Sequence, residues 1–204
     1  MSEHVAAIRA AHSPARFKGF DLVAEYADTV RRVALTPVAF FRQAAPTRRA
    51  TPAVPFAIAS IGIAAGLGQA LAVARGELWG DQLLPVTGYF MILNGLALGV
   101  GAVLLHLLVR LAVRRHAGFR VTLGVLAYSQ VGVLVTWLPP PVSLISPLVA
   151  LWVSIVGVRE RHATTTVRAA VVVLLASAML AILSMMVVLV GLYLGRACCG
   201  VAGG

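Results

Sequence analysis

Of 204 residues, 60% are hydrophobic and only 12% are charged, whereas an average soluble domain has about 45–50% and about 25%; a core packed in water cannot hide that much apolar surface at this length. The net charge of +10 comes from 17 Lys and Arg against 7 acids. In a membrane protein that is the charge retained by cytoplasmic loops, and no basic patch is interleaved with aromatics as a nucleic-acid groove requires. These properties exclude an ordinary soluble domain, give no reason to expect nucleic acid, and leave a multi-pass protein whose first partner is the lipid bilayer.

Residues 1–53 read as a cytoplasmic, amphipathic N-terminal region. The first long apolar run begins near Val54, too far along for a cleavable signal, so the N-terminus is expected to be retained. Phe20, Val23, Tyr26, Ala27, Val30 and Ala34 recur at helical spacing, with Asp21, Glu25, Asp28, Arg31 and Arg32 on other faces. Thr36 reads as a helix cap with Pro37 in the first-turn position, and VAFF at 38–41 supplies a second apolar surface. Such helices either lie in the headgroup plane, basic residues near anionic lipid, or cover the cytoplasmic ends of the spans.

Five spans follow, roughly 54–75, 86–109, 121–138, 142–158 and 167–195, against the about 17–25 residues that cross a bilayer. The third and fourth are short, about 26 Å each, and form a full or a re-entrant hairpin. Basic and non-basic connections alternate. Arg75 is offset by Glu77 and Asp81, Arg110, Arg114, Arg115 and Arg120 follow span two, and LPPPV carries no charge. Arg159 and Arg161 follow span four, and the tail holds only Arg196. The positive-inside rule places the N-terminus in the cytoplasm and the C-terminus, with a short tail at 196–204, outside. Trp79, Trp137 and Tyr193 then fall near the outer interface, and Pro139, Pro140 and Pro141 end span three as a stiff tip. Adjacent Cys198 and Cys199 give no disulfide framework. The Arg-over-Lys and Ala bias suggests a bacterial source and hence an inner membrane. The fold class is an all-α integral membrane protein: a bundle of five transmembrane helices over 54–195 with an amphipathic cytoplasmic N-terminal segment.

The sequence has no HExxH, nucleophile elbow, phosphate loop or CxxC, so no catalytic, cofactor or metal site is expected and an enzyme is not. All seven acids lie outside the spans, while proton- and ion-coupled carriers place ionisable groups at membrane depth. His106, about one turn from the cytoplasmic end of span two, more readily reaches interfacial water than relays protons. Gly62/Gly66, Gly95/Gly99 and Gly191/Gly195 form GxxxG, which permits close helix approach without establishing a dimer. Polar groups at depth are Gln69, Asn94, Tyr128, Gln130 and Ser177. Ser129 can satisfy itself on the preceding turn, but Gln130 must face protein or water. Depth counting matches Gln130 with Ser177 and Gln69 with Asn94 as interhelical struts, and sets the Tyr128 hydroxyl against a carbonyl or hydroxyl. The alternative is that Gln69, Asn94, Tyr128 and Gln130 line a solute path. A cytoplasmic interaction surface is expected at Arg31, Arg32, Phe40, Phe41, Arg114, Arg115, Arg159 and Arg161.

RRVALTPVAFFR at 31–42, GFRVTLGVLAYSQVGVL at 118–134 and LWVSIVGVRERHATTTVRAAVVV at 151–173, with the five-span, N-in pattern, resemble the Yip domain family (Ypt/Rab-interacting proteins) in its bacterial branch. The resemblance covers about 20–195. Where members often carry a proline soon after the Tyr-Ser segment, Val131 and Gly132 stand here. The resemblance implies a non-enzymatic integral membrane protein with a general role in membrane organisation or as an assembly adaptor. The Rab-linked trafficking role of eukaryotic relatives does not transfer to bacteria. The leading expectation is an inner-membrane adaptor or scaffold, with a membrane-protein partner or a second copy. The alternative is a small permease or channel subunit.

Overall fold

The computed structural model describes residues 19–43, 53–77, 82–113, 117–139 and 141–200. Regular structure among the described residues is entirely helical: α1 (Gly19–Leu35), α2 (Pro37–Gln43), α3 (Ala53–Ala74), α4 (Leu83–Ala112), α5 (Phe119–Ser129), α6 (Ile145–Arg161) and α7 (Thr166–Gly200). A 3-10 segment, Gln130–Val135, continues α5, and a short one, Val142–Leu144, leads into α6.

Four stretches are long and apolar enough to cross a membrane: Ala53–Ala74, Leu83–Ala112, Val142–Arg161 and Thr166–Val190. The expected third span, 121–138, is not a fifth long helix; its helical part is Phe119–Val135, below that length. A 3-10 turn rises about 2.0 Å per residue against about 1.5 Å in an α-helix, so this segment still reaches about 28 Å. Other bounds move outward. α4 is 30 residues long, and α7 stays helical to Gly200, through what was expected to be the external tail.

α5 and its 3-10 extension form the axis of the bundle. α5 packs on α3, α4 and α6, the 3-10 segment packs on α3 and α6, and α7 completes the bundle against α4 and α6. Thr122, Val125, Ala127, Ser129, Val131 and Gly132 are all buried. A segment surrounded by protein can carry hydroxyls and an amide that a lipid-facing helix cannot.

The 3-10 stretch has a register role. α3 meets the axis at Ala53 against Gly124, Phe56 against Tyr128 and Gly68 against Trp137. From Ala53 to Gly68 α3 rises about 22 Å. From Gly124 to Trp137 a pure α-helix rises only about 20 Å, and the 3-10 turns bring it to about 23 Å. Two hydroxyls reach back three residues in the same tightened spacing, Ser129 to the Leu126 carbonyl at 2.8 Å and Thr136 to the Val133 carbonyl at 2.7 Å. Gly132 then lets the segment lie against the α6 backbone. A Cβ there would sit 2.7 Å from the Ser146 oxygen and 3.0 Å from the Ala150 nitrogen.

The bundle is tight at one end and open at the other. Leu105, Val109, Val125, Val153, Val156 and Val158 are fully or almost fully buried near the arginine-bearing helix ends. At the opposite end, residues 181–190 of α7 are all exposed.

Candidate functional site

Five helix ends meet at the arginine-rich end. Ala53 opens α3 beside Gly124. The Thr122 hydroxyl of α5 lies 3.2 Å from His106 Nδ1 of α4 and 3.3 Å from His162 Nε2, just past α6. α7 begins a short turn later. Arg110, Arg120, Arg159, Arg161 and Arg168 are therefore gathered at one end by topology alone.

His162 is 2% exposed. Its Nδ1 accepts the Ala117 backbone N–H at 3.1 Å, so in the neutral ring the proton sits on Nε2, facing Thr122. The imidazole thus ties the chain before α5 to the end of α6. Gly118, at φ +90°, makes the turn into α5, a conformation that favours glycine.

The N-terminal segment is docked on this end as a helical hairpin. Tyr26 and Ser60 of α3 lie 2.9 Å apart through their hydroxyls. Ser60 gives its single proton to the Phe56 carbonyl at 2.9 Å, so Tyr26 is the donor in that pair. Burial, offset in part by the Ser60 hydrogen bond, pushes the Tyr26 phenol above its ordinary pKa and keeps it protonated. At the end of α2, Arg42 Nε donates to Glu160 Oε2 at 2.8 Å, and Arg159 Nε donates to Glu160 Oε1 at 2.8 Å. One carboxylate therefore holds two guanidinium groups from distant parts of the chain.

Tyr128 is the hub of an aromatic cluster, with ring centroids 4.9 Å from Phe40, 5.2 Å from Phe56 and 6.3 Å from Phe41; Tyr26 extends it at 5.3 Å from Phe56. The Phe40 contact is edge-on, a favoured geometry for paired rings. Phe41, expected on an interaction surface, is 3% exposed, and Phe40 is half-buried. Both fill the space between α2 and the bundle, because VAFF faces the spans. The inward stripe of α1 is also turned from the expected one. Tyr26, Val30 and Val33 pack inward, whereas Val23, Ala27 and Ala34 are exposed. α2 opens at Pro37 as expected, and the Thr36 carbonyl accepts the Phe40 N–H at 3.0 Å, but the Thr36 hydroxyl reaches back to the Arg32 carbonyl at 3.1 Å and closes α1.

Of the surface arginines, Arg31 is exposed and Arg32 is engaged. Arg32 bonds Gln43 at 3.0 Å, lies 3.8 Å from Asp28, and sits 5.9 Å from the Phe40 ring centre. Arg159 and Arg161 are half-buried. Arg114 and Arg115 lie outside the described residues.

The intramembrane polar residues find nearer partners than depth counting gave. Gln69 lies against Thr87 of α4, with 2.6 Å between the amide and the hydroxyl. With the amide oriented to satisfy both its ends, it also takes the Thr87 N–H at 2.8 Å and gives to the Leu83 carbonyl at 3.2 Å. Asn94 donates to the Phe90 carbonyl of its own helix at 2.9 Å. Thr87 rather than Asn94 stands opposite Gln69, because Asn94 lies about 16 Å along α4 from Leu83. Measured from their shared turn, Gln69 is about 7.5 Å deep and Thr87 about 6 Å. Gln130 is half-buried in the 3-10 segment, which packs on α3 and α6 and touches α1, while Ser177 is exposed on α7. Equal depth did not make these two neighbours.

Glu160, His162, Thr122, Tyr26 and Ser60 are the positioning residues that sequence reading passed over. Glu160 and His162 stand two residues apart in VRERHA, but Arg42, Thr122 and Ala117, which they meet, lie 118, 40 and 45 residues away in sequence. Compared with protein-family models, with curated proteins and with solved structures, the chain finds no match.

Proposed function

We propose that this is a non-enzymatic, five-crossing membrane adaptor, with its arginine-rich end in the cytoplasm of an inner membrane and its C-terminus outside. The observation that carries the reading is the docked α1–α2 hairpin. It is fixed to the bundle by Tyr26–Ser60 and Arg42–Glu160, yet α1 keeps Leu22, Val23, Glu25 and Arg31 exposed. A rigidly held amphipathic helix with a free outer face is suited to receive another protein. The Yip-like stretches support the same reading, since they fall on α1–α2, on α5 and its 3-10 extension, and on the α6–α7 junction. A solute path is less favoured, because Gln69 and Asn94 are bonded to adjacent helix groups and Tyr128 is enclosed by rings. For the third crossing, the support is the about 28 Å length of Phe119–Val135 and its antiparallel pairing with the long α6 run.

Deleting residues 1–45 is not a clean test, because Val33 and Phe41 belong to the core. The test is a triple variant on the outer face of α1, Leu22→Ser, Val23→Ser and Arg31→Glu, purified from native membrane beside the parent. The variant should insert and fold normally and lose the proteins that co-purify with the parent. An unchanged set of co-purifying proteins would move the adaptor surface elsewhere.

A further inference from the structure

Beside the α1–α2 elbow lies an open groove of about 590 Å³, lined by Leu35, Thr36, Ala39, Arg42, Gln43 and Trp152 among others. That volume falls in the range of small-molecule sites, about 300–1,000 Å³. Its long axis follows α6. Arg42 meets Glu160, Phe41 faces Gly157, and the elbow residues share the groove with Trp152. α2 therefore runs in the same direction as α6, with Pro37 at its deep end. Trp152 lies about 12 Å along α6 from Glu160.

The two ends of the groove differ in chemistry. The shallow end carries Arg42 and Gln43. Arg42 is exposed and bonds Glu160 through its Nε, and it lines the groove. Arg42 and Arg159 share the single Glu160, so the charge at this end is net positive. The deep end is Leu35, Ala39 and Trp152, in the middle of a membrane-crossing run. Trp152 is 53% exposed there, at a depth where tryptophan is not an interfacial anchor. A positive rim about 12 Å above an apolar, aromatic floor matches a phosphate above an acyl chain within one leaflet. A helix of another chain, about 10–12 Å across, would meet in α2 a wall only about 10 Å long.

We propose that this groove binds one anionic phospholipid of the leaflet at the arginine-rich end. Its phosphate is held by Arg42 and Gln43, and an acyl chain lies over Trp152. The site needs only that α6 crosses the bilayer. It stands or falls separately from the adaptor reading, and it does not depend on which side the arginine end faces.

The test uses the full chain with Trp79→Phe and Trp137→Phe, leaving Trp152 as the only indole, in phosphatidylcholine vesicles. Phosphatidylglycerol brominated in its acyl chain is titrated in, against brominated phosphatidylcholine at equal mole fractions. Trp152 fluorescence should be half-quenched at about fivefold lower mole fraction of the anionic lipid, the preference that one arginine near the surface supplies. Arg42→Gln should remove that preference. If that variant does not fold, Ala39→Phe, which fills the groove from an exposed position, should remove it instead. Equal quenching by the two lipids overturns the proposal, because Trp152 then sees only bulk bilayer. Quenching by neither overturns it too, because the groove is then covered by protein.

Discussion

At the scale of single residues, the same residue type carries opposite consequences. Gly132 sits where a Cβ would press on the backbone of α6, 2.7 Å from the Ser146 oxygen, and a backbone cannot rotate aside. Gly132→Ala should therefore cost about 1–3 kcal/mol, the usual range for overpacking. Gly95 has nothing within 4 Å of a Cβ, so Gly95→Ala should be neutral or stabilise by up to about 1 kcal/mol through helix propensity. Unfolding of both variants in mixed micelles checks the contrast; equal stabilities would show that the close approach at Gly132 is not real. The sequence showed 19 glycines and several GxxxG spacings but could not rank them. What distinguishes Gly132 is the position of a carbonyl from another helix. The Gln69 pairing failed for a related reason. Counting from opposite faces of an assumed bilayer thickness sets Asn94 beside Gln69, whereas counting from the turn that joins their helices separates the two by about 9 Å.

At the scale of elements, periodicity showed that residues 20–34 form an amphipathic helix, but not what covers its apolar side. Tyr26 and Val30 of the expected stripe do face inward, but the next inward residue is Val33, 0% exposed, and not Ala34. The dock itself rests on pairs far apart in sequence, Tyr26 with Ser60 and Arg42 with Glu160, which no local pattern encodes. A double-mutant cycle with Tyr26→Phe and Ser60→Ala measures that dock. The coupling should be about 1 kcal/mol, the net worth of a partly buried hydrogen bond. Additive effects of the two substitutions would mean that α1 does not sit on α3 in the membrane. The α5 axis was legible in part. Tyr128, Ser129 and Gln130 marked a segment that lipid alone cannot solvate, and the structure surrounds that segment with protein. Its change from α to 3-10 after Ser129 was not legible, because it answers the register of α3, a constraint lying on another helix.

At the scale of the whole molecule, composition and charge carried most of what could be known. Apolar excess fixed the class, and the alternation of arginines grouped the helix ends that the structure brings together. Crossing number and sidedness are open to a direct measurement. Cysteines placed at residues 2 and 204, in a background lacking Cys198 and Cys199, should react with an impermeant reagent only at 204 in intact cells. Reaction of both, or of neither, would remove the five-crossing, N-in arrangement. A cysteine at Ser143 should behave like 204, since it lies in the turn between the axis and α6. Protection of Ser143 beside a reactive 204 would instead indicate a re-entrant hairpin.

The contact between Gly132 and the α6 backbone also bears on how the protein is made. Emerging from the ribosome, Phe119–Val135 is a short segment with Tyr128, Ser129 and Gln130 near its middle, and it has no neighbour on the α6 side. An insertion machinery that weighs each segment alone finds little reason to release it into lipid. Once Val142–Arg161 has followed, the 3-10 backbone packs on α6, and Thr122 and Ala117 find His162. The two segments are then expected to enter the bilayer as one unit, after synthesis of His162. In nascent chains exposed from the ribosome only to about residue 140, a cysteine at Ser129 should react with a water-soluble maleimide, and in chains exposed well beyond residue 165 it should be protected. Protection in the shorter chains would show that the axis enters the membrane before its partner exists.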